Sequence, residues 1–178
     1  MRKRILEYVI RRLCKTRDRK KTYRDLNGLK TVFVVFEAEH YLAAHAFIQQ
    51  LEGMGKKVVG CGFCTENAPV DSSQIPYLIL SKKDFNLIGK VSSEIQKNLQ
   101  LISFDALIDL SLKDHLELEC FIAYQNIPLK IGLKKKSLLV YDIAISDDSE
   151  KQKLSVEALE VHLLHYLHTI QHPVEPKK

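Results

Sequence analysis

From residue 31 onward the chain alternates short, almost wholly apolar runs with longer stretches whose apolar residues recur every three or four positions. The runs are Thr31-Val-Phe-Val-Val-Phe36, Lys57-Val-Val-Gly-Cys61, Tyr77-Leu-Ile-Leu80, Phe104-Asp-Ala-Leu-Ile-Asp-Leu110, Leu129-Lys-Ile-Gly132 and Tyr141-Asp-Ile-Ala-Ile145. β-Branched and aromatic residues without an alternating polar face describe strands buried on both sides. Helical period fills the gaps. Residues 40–54 place Leu42, Ala43, Ala46, Phe47, Ile48 and Leu51 on one stripe, with Gly53 and Gly55 as stop signals. Shorter helical pieces are expected at 84–88, 93–101 and 113–124. A last helix is expected from Ser149, which forms a capping box with Gln152, to about His172, where Pro173 ends it.

Strands that alternate with helices form βαβ units, and right-handed crossovers turn these into a twisted sheet covered on both faces. The expected fold is α/β: a three-layer, Rossmann-like sandwich with a mostly parallel sheet of five to six strands, a basic N-terminal helix and a C-terminal helix. By analogy with doubly wound sheets, the strand order is expected to be 3-2-1-4-5 with the sixth strand at an edge. The turn signal Asn27-Gly28 divides the chain into a helix within residues 1–26 and a single α/β domain over 27–172, with 173–178 as a disordered tail.

Charge sharpens the division. The first twenty-five residues hold eleven Lys or Arg against three acids, a balance of +8, while the whole chain of 178 residues is only +5, so the remainder is −3. Within this arm Ile5, Leu6, Val9, Ile10 and Leu13 recur at helical spacing over about residues 3–22, with Arg4, Arg11, Arg12, Lys15 and Arg19 on the other faces. Such a helix can lie on anionic lipid, dock on nucleic acid through phosphates, or pack its stripe on its own domain with the basic face outward. The expected partner is therefore an acidic surface (RNA, anionic lipid or acidic protein) engaged through residues 1–25. Only Tyr8 and Tyr23 interleave with the cations, which disfavours sequence-specific base reading. No run reaches the ~20 apolar residues of a membrane span, Arg11 and Arg12 interrupt any signal-peptide core, and the arm lacks the serines of a transit peptide. The expected location is the cytoplasm.

In a doubly wound sheet, ligands bind beyond the carboxyl ends of the strands where the order reverses, here between the first and fourth strands. That rule selects Glu37, Glu39 and His40 after the first strand and Asp109, Ser111, Asp114 and His115 at and after the fourth. Glu37, Glu39, His40 and Asp109 are the catalytic candidates, since paired carboxylates beside a histidine can act as general acid and base or hold a divalent cation. Ser111, Asp114 and His115 are the binding candidates, together with Arg4, Arg11, Arg12, Lys15 and Arg19 of the arm. The competing expectation is that Glu37 and Glu39 are loop acids or caps, and that Asp114 sits in the first turn of its own helix. The turn Glu37-Ala-Glu39-His40-Tyr41 has no glycine to admit a pyrophosphate and two acids to repel it, and no Walker lysine loop, Gly-x-Ser-x-Gly elbow or kinase set occurs. No cofactor is expected, and no metal site is assigned.

Cys61-Gly-Phe-Cys64 has redox or metal spacing, but it continues a strand, and alternation sends the two thiols to opposite faces unless the chain turns at Gly62. Four cysteines in a chain of this size are expected to be reduced. His165, His168 and His172 share one face of the last helix, opposite Val156, Leu159, Leu163, Tyr166, Leu167 and Ile170. A polar face near a helix C-terminus explains them, although His168 and His172 have metal-pair spacing.

The segment Phe104-Asp-Ala-Leu-Ile-Asp-Leu-Ser111, followed by Ile127-Pro-Leu-Lys-Ile-Gly132, resembles the fourth-to-fifth-strand region of the N-terminal Rossmann-like domain of heptosyltransferase-type (GT-B) glycosyltransferases. The resemblance covers about thirty residues. It implies the acceptor half of a GT-B architecture, and 178 residues leave no room for the donor half. Over almost its full length, including the basic helix and the Tyr141–Ile145 segment, the chain resembles a small bacterial family of unknown function, which supplies no activity.

Two functions of different class follow. One is a non-enzymatic binding or interaction module whose basic helix docks on an acidic partner or packs on its own domain. The other is a small transferase-like or hydrolase-like enzyme using Glu37, Glu39, His40 and Asp109.

Overall fold

The computed structural model describes residues 1–16, 19–65, 75–134, 140–146 and 154–169. Its strands are β1 (Thr31–Glu37), β2 (Lys57–Cys64), β3 (Leu78–Ser81), β4 (Ala106–Asp109), β5 (Leu129–Leu133) and β6 (Ile143–Ile145). They form one sheet in the order β3-β2-β1-β4-β5-β6, parallel throughout. The helices are α1 (Arg2–Thr16), α2 (Tyr41–Gly53), α3 (Ser93–Gln100), α4 (Leu116–Tyr124) and α5 (Val156–Thr169). The α/β class and the strand order agree with the sequence reading, and the sheet is wholly rather than mostly parallel.

β1 lies inside the sheet, and its residues Val32 to Phe36 are solvent-excluded. Even residues of β1 point to one face and odd residues to the other. Phe33 and Val35 join the core built with α1, α3 and α4. Val32, Val34 and Phe36 join the core built with α2 and α5. The helices thus cover both faces, as a strand without a polar side requires.

α1 belongs to the first of these cores. Leu6 and Ile10 are fully buried, and the helix packs chiefly on α4. It is described to Thr16, and residues 19–22 are not helical, so it stops short of the expected residue 22; Arg17 and Asp18 lie outside the described residues. The reason is that the next residues find partners elsewhere. Arg19 donates to the Ile127 carbonyl at 2.5 Å and pairs with Asp142 at 2.5 Å, Lys21 reaches Asp142 at 3.2 Å, and the Thr22 amide donates to the Pro128 carbonyl. Asp142, whose side chain is 2 % exposed, also accepts from the Lys130 amide. A buried carboxylate demands such donors, and it draws the chain out of helix geometry.

Two other elements are shorter or different. The helical piece expected at 84–88 is a 3₁₀ turn at Lys82–Asp84, closed by a reciprocal Ser81 and Asp84 capping box. The following bend is organised by the Asn86 side chain, with Gly89 at φ +73°. On α5, Val156, Leu159, Leu163 and Leu167 are buried, whereas Tyr166, expected on that stripe, is 46 % exposed. The Lys134–Lys136 turn beyond Lys134, the Ser149 and Gln152 box, and residues 170–178, with Ile170, His172, Pro173 and the expected tail, lie outside the described residues.

β5 and β6 are parallel although only residues 134–142 join them, where a crossover ordinarily takes about a dozen residues or more. Val140 and Tyr141 of this link are buried on the α1/α4 face. Tyr141 lies against Gly132, where a Cβ would come within 2.7 Å of its ring. Glycine at 132 therefore admits the ring that reaches β4.

Because Leu6 is a core residue and Arg11 is not, the two should separate in equilibrium urea unfolding. Leu6→Ala is expected to cost about 2–5 kcal/mol, and Arg11→Gln less than about 0.5 kcal/mol. Similar small effects for both would mean that α1 is not part of the cooperative unit.

Candidate functional site

The strand order turns back at β1, which brings the carboxyl ends of β1 and β4 side by side at the edge where open α/β sheets bind ligands. β1 ends in Glu37, and its side chain is 1 % exposed. Such a carboxylate needs donors. Two come from the segment after β4: His115 Nε2 lies 2.6 Å from Glu37 Oε1, and the Leu112 amide donates to Oε2 at 3.2 Å. A carboxylate accepts only, so the His115 tautomer at this contact carries its proton on Nε2. The ring is also propped from below. Phe63, the register partner of Glu37 on β2, has its ring centroid 5.1 Å from the imidazole.

The 3₁₀ turn Ala38–His40 carries the chain from β1 into α2. It brings His40 Nε2 to 3.6 Å from Glu37 Oε2 and 3.7 Å from Glu39 Oε1. The Lys113 ammonium, from the segment after β4, forms an ion pair and hydrogen bond with Glu39. Neither Glu37 nor His40 uses its side chain to cap the helical turn it precedes. α4 begins at Leu116, later than expected, because Lys113 and His115 are held by Glu39 and Glu37 at the end of β1. Asp114 therefore precedes the helix and is exposed.

Burial pushes the Glu37 pKa upward, but the hydrogen bond and field of His115, the Leu112 amide and the charge of Lys113 outweigh it and hold the carboxyl below its usual 4.5. The Glu39 hydrogen bond raises Lys113 above its usual value. Glu37, Glu39 and His40 each offer one ligand atom, and these lie within 4.8 Å of one another. The edge thus combines a fixed carboxylate, an oriented imidazole, a second carboxylate and a cation.

Of the four catalytic candidates, the structure gathers Glu37, Glu39 and His40, and it uses Asp109 differently. Asp109, paired in register with Val35, is 1 % exposed; it accepts from the Ser111 amide at 2.8 Å, from the Ser111 hydroxyl at 2.9 Å and from the Tyr141 hydroxyl. Burial and then the Asp109 charge raise the Tyr141 hydroxyl well above its usual pKa, so it serves Asp109 as a donor. Asp109 and Ser111 anchor the β4 end; His115 is the binding candidate that reaches Glu37. Lys113 was passed over at the sequence level although the topological rule selects its segment. Tyr141 and Phe63 carry no local signal, since their roles arise only from pairing between distant strands.

The arm residues are placed as follows. Arg4, Arg11, Arg12 and Lys15 are exposed on α1, with no ion pair among the described residues. Arg19 is turned inward to Asp142 and Ile127. Cys61 and Cys64 both lie in β2, and no disulfide joins the described cysteines; burial raises the Cys61 thiol far above its ordinary range. His162, His165 and His168 are exposed on α5. No helix among the described residues is long and apolar enough to cross a membrane.

A family model described as Family of unknown function (DUF6913) matches residues 2–170. Comparison with curated proteins and with solved structures finds no match, so the likeness to heptosyltransferase-type enzymes gains no support beyond the residues that carry it.

The lowered Glu37 pKa has a definite pH signature. The stability it contributes is present above the unfolded value of 4.5 and is lost as pH falls through the lower folded value. Urea unfolding of wild type and Glu37→Gln from pH 3 to 7 is expected to give a constant gap above about pH 4.5 that closes toward acid. A gap that widens toward acid would contradict the assigned environment.

Proposed function

Since the chain belongs to that family of unknown function, which brings no activity with it, we propose from its own geometry that it is a binding module whose α1 docks on the backbone of single-stranded RNA. The observation that carries this reading is the outward face of α1. At about 100° per residue, Arg4, Tyr8, Arg11 and Lys15 fall within roughly 60° of one another. All four are exposed, Tyr8 by 63 %. Arg12 and Lys3 flank them, and the helix's single acid, Glu7, is partly buried.

The apolar stripe of the same helix is spent in the core, where Leu6 and Ile10 are sealed. A helix that inserts in lipid needs that stripe for acyl chains, so the folded arrangement favours a contact made by the outward cations and the ring among them. An aromatic ring between cations suits a strand whose phosphates meet the guanidinium groups while a base stacks on the ring. Recognition of this kind tolerates sequence. It leaves Arg2, which donates to the Lys82 carbonyl and pairs with Glu117 at 3.6 Å, to hold the helix on the body.

Removing the arm would open the core, so substitutions are the sound test. Fluorescence anisotropy with a labelled mixed-sequence RNA is expected to show affinity falling with salt at a log–log slope of about −2 to −3, the value for three to four neutralised phosphates. Combined Arg4→Gln, Arg11→Gln and Lys15→Gln should abolish most binding without lowering the melting temperature. Binding that survives this triple change, or a preference for phosphatidylserine vesicles or an acidic protein over RNA, would overturn the proposal.

A further inference from the structure

We propose that the sheet edge at β1 holds a divalent, zinc-type cation between Glu37, Glu39 and His40, independently of any RNA bound at α1. Three features converge on it. The first is spacing. His40 Nε2 stands 3.6 Å from Glu37 Oε2 and 3.7 Å from Glu39 Oε1, and the ligand atoms of the three residues lie within 4.8 Å of one another. These separations are too long for hydrogen bonds. A triangle with such sides has its centre about 2.0–2.4 Å from each corner, the reach of zinc to carboxylate oxygen and imidazole nitrogen.

The second feature is preorganisation. Glu37 is gripped on Oε1 by His115 and on Oε2 by the Leu112 amide, and Oε2 stands 3.6 Å from His40 Nε2. Support of this type around a ligating carboxylate fixes its orientation before the ion arrives. The edge is also where an open α/β sheet places its ligands. The third is charge. Two carboxylates face one cation, Lys113, whose side chain is 55 % exposed and sits on Glu39. An ion arriving between the carboxylates takes over the role of that ammonium, which must then leave Glu39.

The donor set of two oxygens and one imidazole nitrogen lacks the thiolates of closed structural zinc sites. Three protein ligands leave positions for water or a substrate oxygen, the pattern of catalytic rather than structural ions. Soft ions such as Cu(I) are not expected there.

Isothermal titration of the full chain with ZnCl₂, and with MnCl₂ as a second ion, tests the proposal. One equivalent should bind. His40→Ala and Glu39→Gln are each expected to weaken binding by about tenfold or more, and His115→Ala by about 10- to 100-fold. Lys113→Gln should tighten it, because a competing cation is gone. His40 and Glu39 are not core residues, so both variants should keep the wild-type melting temperature, and His162, His165 and His168 changed together to Gln should leave the titration intact. The proposal fails if no binding is seen up to about 1 mM. It fails equally if His40→Ala and Glu39→Gln bind as wild type, if Lys113→Gln binds more weakly, or if the α5 histidine triple removes the signal.

Discussion

Val32, Phe33, Val34, Val35 and Phe36 are closed to water on both faces, so the amides and carbonyls of β1 must be satisfied within the sheet. They are, by β2 on one side and β4 on the other. This double parallel pairing fixes most of what surrounds it. Parallel neighbours cannot be joined by hairpins, which obliges the chain to cross over the sheet faces. Placing β4 beside β1 also reverses the direction in which strands are added, and the reversal brings the segments that follow both strands to a common edge. Glu37 meets His115 and Leu112 there because Val35 is paired with Asp109 two residues earlier.

Buried carboxylates organise the molecule at three points along that sheet. Asp109 holds the end of β4 through Ser111 and Tyr141. Asp142 gathers Arg19, Lys21 and the Lys130 amide, tying the chain after α1 to the β6 edge. Glu37 is answered by His115 and Leu112. A buried charge left without donors would cost several kcal/mol, so each acid enforces a local geometry. The cations of the N-terminal segment divide accordingly. Arg2, Arg19 and Lys21 are drawn to carbonyls and acids of the body, and Arg4, Arg11, Arg12 and Lys15 remain outward.

The elements most legible in the sequence were those governed by burial. The run Thr31-Val-Phe-Val-Val-Phe36 announces a strand with no wet face, and the spacing of Leu6 and Ile10 announces a helix that must cover something. What it covers, α4, depends on long-range packing and was one of several alternatives. Element ends were less legible for a physical reason: they are set by side chains reaching distant partners. Residues 19–22 leave helix geometry for Asp142 and Pro128, α4 starts late because His115 is held by Glu37, and the segment near Asp84 closes as a 3₁₀ turn through Ser81. At the site, topology pointed to the edge at which Glu37, Glu39, His40 and His115 lie. It could not foresee that Asp109 would be sealed under Tyr141, because that contact requires the ring to lie against Gly132 across a short crossover.

The contact on which the edge depends most directly is the one between Glu37 and His115. Nitrogen-15 correlation spectra of the histidine side chains, assigned with a His115→Gln variant, would read it. The account predicts a His115 ring with its proton on Nε2, protected from exchange with water, that loses this protection in Glu37→Gln. A His115 ring protonated on Nδ1 alone, or one whose signals are unchanged in Glu37→Gln, would show that β1 and β4 do not bring these groups together.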